Sequence, residues 1–165
     1  MLRNYDFNTC DAMTHRQFTT QVEATQSAFR RFLTALCCGD MELADDLAQE
    51  AYIRAYTAVT QPDNFRAWLY RTGYNLFLNY RRSEKTYCDS GVLLGCHAEQ
   101  NADDTFRYQE LYTALDSLPP KERMSVLLYY LEGYSTKEIA AITETSDEAV
   151  RQHLARGRRY LRELL

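Results

Sequence analysis

Apolar residues recur at helical spacing along most of the chain. Between Phe18 and Leu36 they fall at Phe18, Val22, Phe29, Phe32, Leu33 and Leu36, which predicts one amphipathic helix with Gly39 as its C′ stop. Asp40 is placed to cap a second helix, where Leu43, Leu47, Ala51, Ala55 and Val59 mark every fourth position and Tyr52 and Tyr56 widen the stripe. The opposite face of that helix carries Glu42, Asp45, Asp46, Gln49 and Glu50. TQPD at 60–63 breaks the pattern, and Asp63 or Asn64 can cap a third helix. This one is expected to bury Phe65, Trp68 or Leu69, Thr72, Leu76 and Tyr80 and to continue through Arg81 and Arg82.

Periodicity is lost over 86–106, TYCDSGVLLGCHAEQNADDTF, apart from one short apolar patch at Val92-Leu93-Leu94. The stretch reads as a linker between two independent helical units. From Arg107 a new stripe begins with Leu111, Leu115 and Leu118. Pro119-Pro120 then opens a helix where missing N–H groups cost least, Met124, Leu127, Leu128 and Leu131 give it an apolar side, and Gly133 ends it. Two capping boxes follow, Ser135-Thr136-Lys137-Glu138 and Thr145-Ser146-Asp147-Glu148, with only IAAIT between them. A helix of about two turns cannot stand alone in water. Short helix, tight turn and longer helix is the helix-turn-helix layout. The expected fold is therefore all-α: an N-terminal helical domain over 1–85, an acidic flexible linker over 86–106, and a C-terminal helix-turn-helix domain over 107–165.

Composition adds exclusions. With 165 residues, 45% hydrophobic, 25% charged, 3 Pro and 6 Gly, the chain has the makings of a packed core and argues against an all-β protein. No apolar run approaches the roughly 20 residues of a membrane span, and the first residues lack the pattern of a secretory leader, so no membrane insertion and a cytoplasmic location are expected. The net charge of −4 gives by itself no reason to expect nucleic acid. The charges are segregated, however. Residues 40–50 hold Asp40, Glu42, Asp45, Asp46 and Glu50 and no cation, whereas 66–85 hold Arg66, Arg71, Arg81, Arg82 and Lys85 against Glu84. The linker is acidic through Asp89, Glu99, Asp103 and Asp104, and the end carries Arg151, Arg156, Arg158, Arg159 and Arg162 against Glu163. Solvated surfaces usually interleave their signs.

The last helix sets Ala149, Val150, Leu154 and Leu161 on one side and Arg151, Gln152, His153, Arg156, Arg158 and Arg159 on the other. In the second helix of a helix-turn-helix, Arg suits guanine, Gln suits adenine, and further Arg neutralises phosphates. An Arg-rich end that only offsets a helix dipole needs one or two cations, not five. In the third helix Arg71, Asn75, Asn79 and Arg82 share a face by spacing, flanked by Tyr70, Tyr74 and Phe77. Such groups can hold a strand backbone while aromatics stack on unpaired bases, or they can simply solvate the helix, with Phe77 in the core. The acidic face of the second helix would repel phosphates; it is either a solvated face or a dock for a basic protein surface.

On these residues the chain resembles bacterial RNA polymerase sigma factors of the extracytoplasmic-function (ECF) type. DMELADDLAQEAYIRAY is similar to the helix that grips the polymerase clamp, and FRAWLYRTGYNLFLNYRRSEK to the helix that melts and reads the promoter minus-ten element. The segment from LYTALDSLPP to RRYLREL is similar to the domain that reads the minus-thirty-five element. The resemblance implies clamp contact through Asp46, Gln49 and Glu50. It implies minus-ten contact through Arg71, Asn75 and Asn79, with the loop Gln61 to Asn64 helping to hold a flipped base; Arg82 continues that row. It implies minus-thirty-five contact through Arg151, Gln152, His153 and Arg156, with Arg159 beside them. The implied partners are core RNA polymerase, at its clamp and flap, promoter DNA, and an anti-sigma factor; the acidic linker would thread polymerase channels otherwise used by RNA. Trp68, in the family's AWL triplet, reads as mostly core. Two departures stand out: Glu144 occupies the turn position where the family usually has Gly, and Gln152-His153 replace the frequent Ser and Arg.

No enzyme is expected, since His15, His97 and His153 are scattered without a nucleophile and no Gly-rich phosphate loop exists. No cofactor or metal is expected either: Cys37-Cys38 reads as packing, and Cys88, Cys96 and His97 match no compact zinc spacing. Two rival readings remain at this level, a stand-alone helix-turn-helix regulator with an N-terminal sensing domain and a helical adaptor whose basic ends contact acidic partners.

Overall fold

The computed structural model describes residues 13–58, 62–89 and 102–165, without the side chains of 87–89 and 102–107. Seven α-helices and one π-helical segment make up the described residues: α1 His15–Leu36, α2 Met41–Thr57, α3 Phe65–Asp89, α4 Ala102–Ser117, α5 Pro120–Val126, the π-helical Leu127–Leu131, α6 Thr136–Thr143 and α7 Asp147–Leu164. No strand occurs among them.

The boundaries follow local chemistry. Thr14 and Gln17 form a capping box at the start of α1, one turn ahead of the first periodic apolar residue. Its end differs from the sequence expectation. Cys38, not Gly39, occupies the left-handed C′ position with φ 54°; Gly39 follows with φ 92° and its N–H reaches Thr34 O at 2.9 Å, closing a Schellman motif. Asp40 Oδ1 accepts from Leu43 N at 3.0 Å and Asn64 Oδ1 accepts from Ala67 N at 3.0 Å, which settles the caps of α2 and α3. The box at Ser135 and Glu138 forms as the spacing predicts. The second box does not: Ser146 rather than Thr145 caps α7, accepting from Ala149 N, and the Thr145 hydroxyl pairs with that of Thr143.

Phe29, Phe32, Leu33 and Leu36 of α1 pack against Leu47, Ala51 and Ala55 of α2 and against Phe65, Leu69, Tyr70 and Phe77 of α3. Of the residues expected to line α3's inner side, Thr72 is half-buried and Tyr80 is exposed; Trp68 is half-buried. Tyr70, Tyr74 and Phe77 are buried instead, so none of the three presents a ring for stacking on a base. Gly73 is needed because α1 lies so close: a Cβ there would sit 2.8 Å from Phe29 Cζ. In the C-terminal half Leu115, Leu118, Met124, Leu128, Ile139, Ile142, Val150 and Leu154 are buried, while Leu111 is exposed. Val59 and the apolar patch at 92–94 lie outside the described residues.

One expectation about organisation changes. The helices α3 and α4 extend to Asp89 and back to Ala102, taking both ends of the stretch read as linker, whose middle lies outside the described residues. The sequence carries no expectation for how the two halves are placed; they lie against one another. Their buried residues form one connected core, with Tyr134 edge-on to Tyr70 at 5.7 Å. Burial of apolar rings supplies the non-directional attraction, and buried polar groups fix the register. Arg123, 2% exposed, donates to Leu36 O at 3.1 Å, Asp116 O at 2.8 Å and Leu118 O at 3.3 Å, and its guanidinium lies 5.8 Å from the Phe77 ring. Glu132, whose side chain is 4% exposed, accepts from the Tyr70 hydroxyl at 2.5 Å and pairs with Arg31 at 3.5 Å. It follows directly on the π-helical segment, whose wider turn is closed by Glu132 N to Leu127 O at 3.3 Å.

A candidate polymerase and nucleic-acid interface

Three surfaces carry the residues singled out by sequence. On α2 the inner side is Ala44, Leu47, Ala51 and Ala55, which turns Asp46 and Gln49 to solvent and leaves Glu50 half-exposed. Asp45 is held by Arg30 at 2.6 Å, and Glu50 by Arg54 at 2.8 Å. The same face shows Ile53, 57% exposed, and Tyr56, 58% exposed with Phe18 against its ring at 5.1 Å. Sequence reasoning passed over Ile53 and placed Tyr56 in the core. The signal was there, because Ile53 falls one helical step beyond Gln49 and off the fourth-residue stripe. The face thus combines acidic groups with an exposed apolar centre.

On α3 the row Arg71, Asn75, Asn79 and Arg82 forms as the spacing predicts, with Asn75, Asn79 and Arg82 exposed. Arg71 is half-exposed, and its guanidinium is engaged by the C-terminal half. Its Nε donates to Ile142 O at 2.9 Å and Nη2 to Ala141 O at 2.5 Å, while Nη1 pairs with the Glu144 carboxylate at 3.0 Å. Pro62, Asp63 and Asn64 of the adjoining loop are described; Gln61 lies outside the described residues.

On α7, Val150, Leu154 and Gly157 are buried against the rest of the C-terminal half. Arg151, Gln152, Arg156, Arg158 and Arg159 stand exposed, as the amphipathic pattern predicts. Arg151 is braced by Asp147 at 2.6 Å, and Arg156 lies 3.9 Å from Glu122. His153 is half-buried. It lines a crevice of about 330 Å³ between α3 and the helix-turn-helix, together with Arg71, Asn75, Lys121 and Glu144. Residues assigned to two different promoter elements thus meet at one seam. Burial pushes the His153 pKa below the ordinary imidazole range; Glu122 opposes this, and Lys121 and Arg156 reinforce it. The folded chain then binds a proton less readily than the unfolded chain. His153's contribution to stability is complete above about pH 6.5 and is lost as the pH falls below it. Thermal unfolding of the wild type and His153→Gln at pH 7.5 and 5.5 checks this: the wild type should lose more stability on acidification than the variant.

Glu144 closes α6 in the left-handed region, φ 53° and ψ 43°. Cys37 and Cys38 are half-buried, and burial raises both thiols, Cys38 to about 11, which leaves them protonated and unreactive at neutral pH. Nothing is described of the Cys88 side chain, Cys96 or His97. Among the described residues no group of three His, Cys, Asp or Glu gathers as a metal site. A larger cleft of about 1150 Å³ opens between α1, α4 and α7, with Tyr112, Leu127 and Leu131 within and Arg30, Arg31 and Arg158 around it. No described helix is long and apolar enough to cross a membrane.

An N-terminal helical unit with separated acidic and polar-cationic faces, followed by a helix-turn-helix with a cationic second helix, defines the class of this protein. Comparison with known families is specific: residues 21–87 match the Sigma-70 region 2 model and residues 108–161 the Sigma-70 region 4 model. The chain is 31% identical to the ECF RNA polymerase sigma factor SigM of Bacillus subtilis, over 81% of this chain and 86% of that one. It is 36% identical to the ECF RNA polymerase sigma factor SigE of Mycolicibacterium smegmatis, over 77% of this chain and 53% of that one. The chain spans about half the length of some of the curated relatives it matches, SigE among them. Its fold is that of CnrH, solved in complex with the cytosolic domain of CnrY, with a TM-score of 0.71 and 24% identity over 92% of this chain and 88% of that one. The chain belongs to the ECF RNA polymerase sigma factor family.

Proposed function

We propose that this chain is a promoter-specificity subunit of the cytoplasm, not itself an enzyme, that binds core RNA polymerase, directs it to promoters and opens the DNA. The observation that carries this reading is the placing of the charged faces. One helix-turn-helix exposes five arginines on its second helix, and a separate helix exposes an acidic face with an apolar centre. In this reading the region 2 unit spans 1–85, the acidic linker 86–106 and the region 4 unit 107–165. Asp46, Gln49 and Glu50 dock on the polymerase clamp around Ile53, and the region 4 unit meets the flap. Arg71, Asn75, Asn79 and Arg82 hold the minus-ten strand, strand opening being driven by binding energy within the polymerase complex. Arg151, Gln152, His153, Arg156 and Arg159 read the minus-thirty-five element. His153, kept neutral at pH 7, would offer a base edge a hydrogen bond rather than offer a phosphate a charge. An anti-sigma protein belongs to this reading, and the cleft framed by Arg30, Arg31 and Arg158 suits an acidic amphipathic segment of such an inhibitor.

Arg156 supplies a direct check of the minus-thirty-five assignment. Its loose pairing with Glu122 leaves the guanidinium available to a base. Arg156→Ala should cost about 1–3 kcal/mol on the preferred sequence and relax preference at one position. Equal weakening on every sequence would make it a phosphate contact instead. The reading as a whole is tested by adding purified chain to core polymerase and asking for promoter-dependent transcripts.

A further inference from the structure

We propose that two carboxylates, Asp147 and Glu122, divide the exposed arginines of α7: they are positioning residues that set Arg151 and Arg156 for base edges and leave Arg159 to the phosphate backbone. Resting on the proposed minus-thirty-five role of α7, this assignment goes further by saying which cations carry sequence preference and what aims them. Among the described residues Arg151 and Arg156 each have a carboxylate partner, Asp147 Oδ2 at 2.6 Å and Glu122 Oε1 at 3.9 Å. Arg159 has none among them; its guanidinium lies 5.9 Å from the ring of its neighbour Tyr160. Arg158 and Arg162 line the larger cleft instead.

The two braces are anchored differently. Asp147 opens α7 directly after the Ser146 cap, in the first turn, where free N–H groups and the helix dipole favour a carboxylate. Its Oδ1 is shut off from solvent and meets no donor, so the ion pair with Arg151 is what satisfies the group. Glu122 comes from α5 and is 7% exposed. There α7 lies hard against α5: a Cβ at Gly157 would sit 2.7 Å from Val126 Cγ2 and 3.8 Å from Glu122 Cβ. A charge so buried needs a cation, and Arg156 at 3.9 Å supplies one without giving up an N–H to a hydrogen bond.

Reading a base requires direction. A guanidinium is bidentate to guanine only with its fork aligned to the base edge, whereas a contact to phosphate carries no sequence information. A free arginine gives up rotamer freedom when it settles on one base. One already held by a carboxylate gives up less, and the gain applies only to the base that its direction fits. The same carboxylates repel the DNA backbone and so weaken binding on every sequence alike. Their effects on general affinity and on discrimination therefore have opposite signs. A side chain that merely supported the fold would show no such opposition.

Holoenzyme assembled from core polymerase and the full chain tests this, by fluorescence anisotropy on labelled promoter fragments that carry the mapped minus-thirty-five element or a single base-pair change in it. Arg151→Ala and Arg156→Ala should each relax preference at one position, and Arg159→Ala should weaken all fragments evenly. Asp147→Asn and Glu122→Gln should lower discrimination about threefold at the position of their own arginine. In both, binding to all fragments should tighten and its salt dependence steepen. Asp147→Glu keeps a carboxylate at the same spacing and should retain wild-type discrimination. Circular dichroism melts check folding, and Asp147→Asn decides by itself should the buried Glu122→Gln fail to fold. Tighter binding with unchanged discrimination in the amide variants, while the arginine variants lose theirs, would overturn the positioning role and leave the minus-thirty-five reading intact. Even weakening in Arg151→Ala and Arg156→Ala would overturn base reading by these arginines, and the braces with it. Relaxed preference in Arg159→Ala would overturn the division of the arginines.

Discussion

Replacing Arg123 by alanine should destabilise the free chain by about 3 kcal/mol, lowering its melting temperature by roughly 10 °C. This residue lies in the middle of the molecule, and its guanidinium donates to the carbonyls of Leu36 and Leu118 from within the core. Leu36 O is the last carbonyl of α1 and Leu118 O precedes the Pro119 turn. Alanine would take the guanidinium from both acceptors and leave Leu36 O the weak Cys38 thiol at 3.9 Å. Each lost donor costs about 1–3 kcal/mol, and a cavity would open beside Phe77. Arg123→Met restores volume but no donor and should recover less than half of the loss. Thermal and urea unfolding followed by circular dichroism measure both. A loss below about 1 kcal/mol for the alanine variant would mean that water replaces the guanidinium and that the residue is not central to packing.

Reversing Asp46 and Glu50 together to lysine should weaken capture of core RNA polymerase at least 100-fold while leaving α2 folded. Both side chains project from the face opposite Ala44, Leu47, Ala51 and Ala55, so their charge does not enter the core. Glu50→Lys sets a second cation beside Arg54, but a like-charge pair at i,i+4 costs only about 0.5 kcal/mol on an exposed helix. Across a protein interface, like-charge juxtaposition costs several kcal/mol. Competition with a labelled wild-type chain for core polymerase reads the difference, and unchanged melting curves show that the fold is kept. Undiminished competition would place the docking face elsewhere. Ile53→Ser tests the apolar centre of the same face and should weaken capture by a smaller factor.

The helices and the helix-turn-helix were legible because their signals are local. Spacing of Leu47, Ala51 and Ala55, the Asp40 cap and the Ser135–Glu138 box each act within one or two turns. The exposed arginines of α7 were legible for the same reason, since Val150 and Leu154 fix which side is inward. Tertiary contact decided what sequence missed. Tyr70 and Tyr74 alternate with polar residues and read as a rim to Arg71 and Asn75, but α1 and the C-terminal half cover them. Arg123 and Glu132 carry no local signal of burial, yet both side chains are buried against partners distant in sequence, Arg123 on Leu36 O and Glu132 on the Tyr70 hydroxyl. The packing of one half on the other has no periodic signature. It depends on residues that are interior only once both units have formed. The same holds for Arg71: its place on the polar row was legible, its capture by the end of α6 was not.

In the proposed function the exposed faces of α2 and α7 let one chain bring polymerase to a promoter. Mapping transcript starts made by core polymerase with and without the purified chain, on fragmented genomic DNA of its source, tests it most directly. Starts that arise only with the chain, and that share one sequence block near minus ten and another near minus thirty-five, are the predicted result. DNA retention by the chain without any chain-dependent start would contradict it and leave a regulator that acts without entering the polymerase.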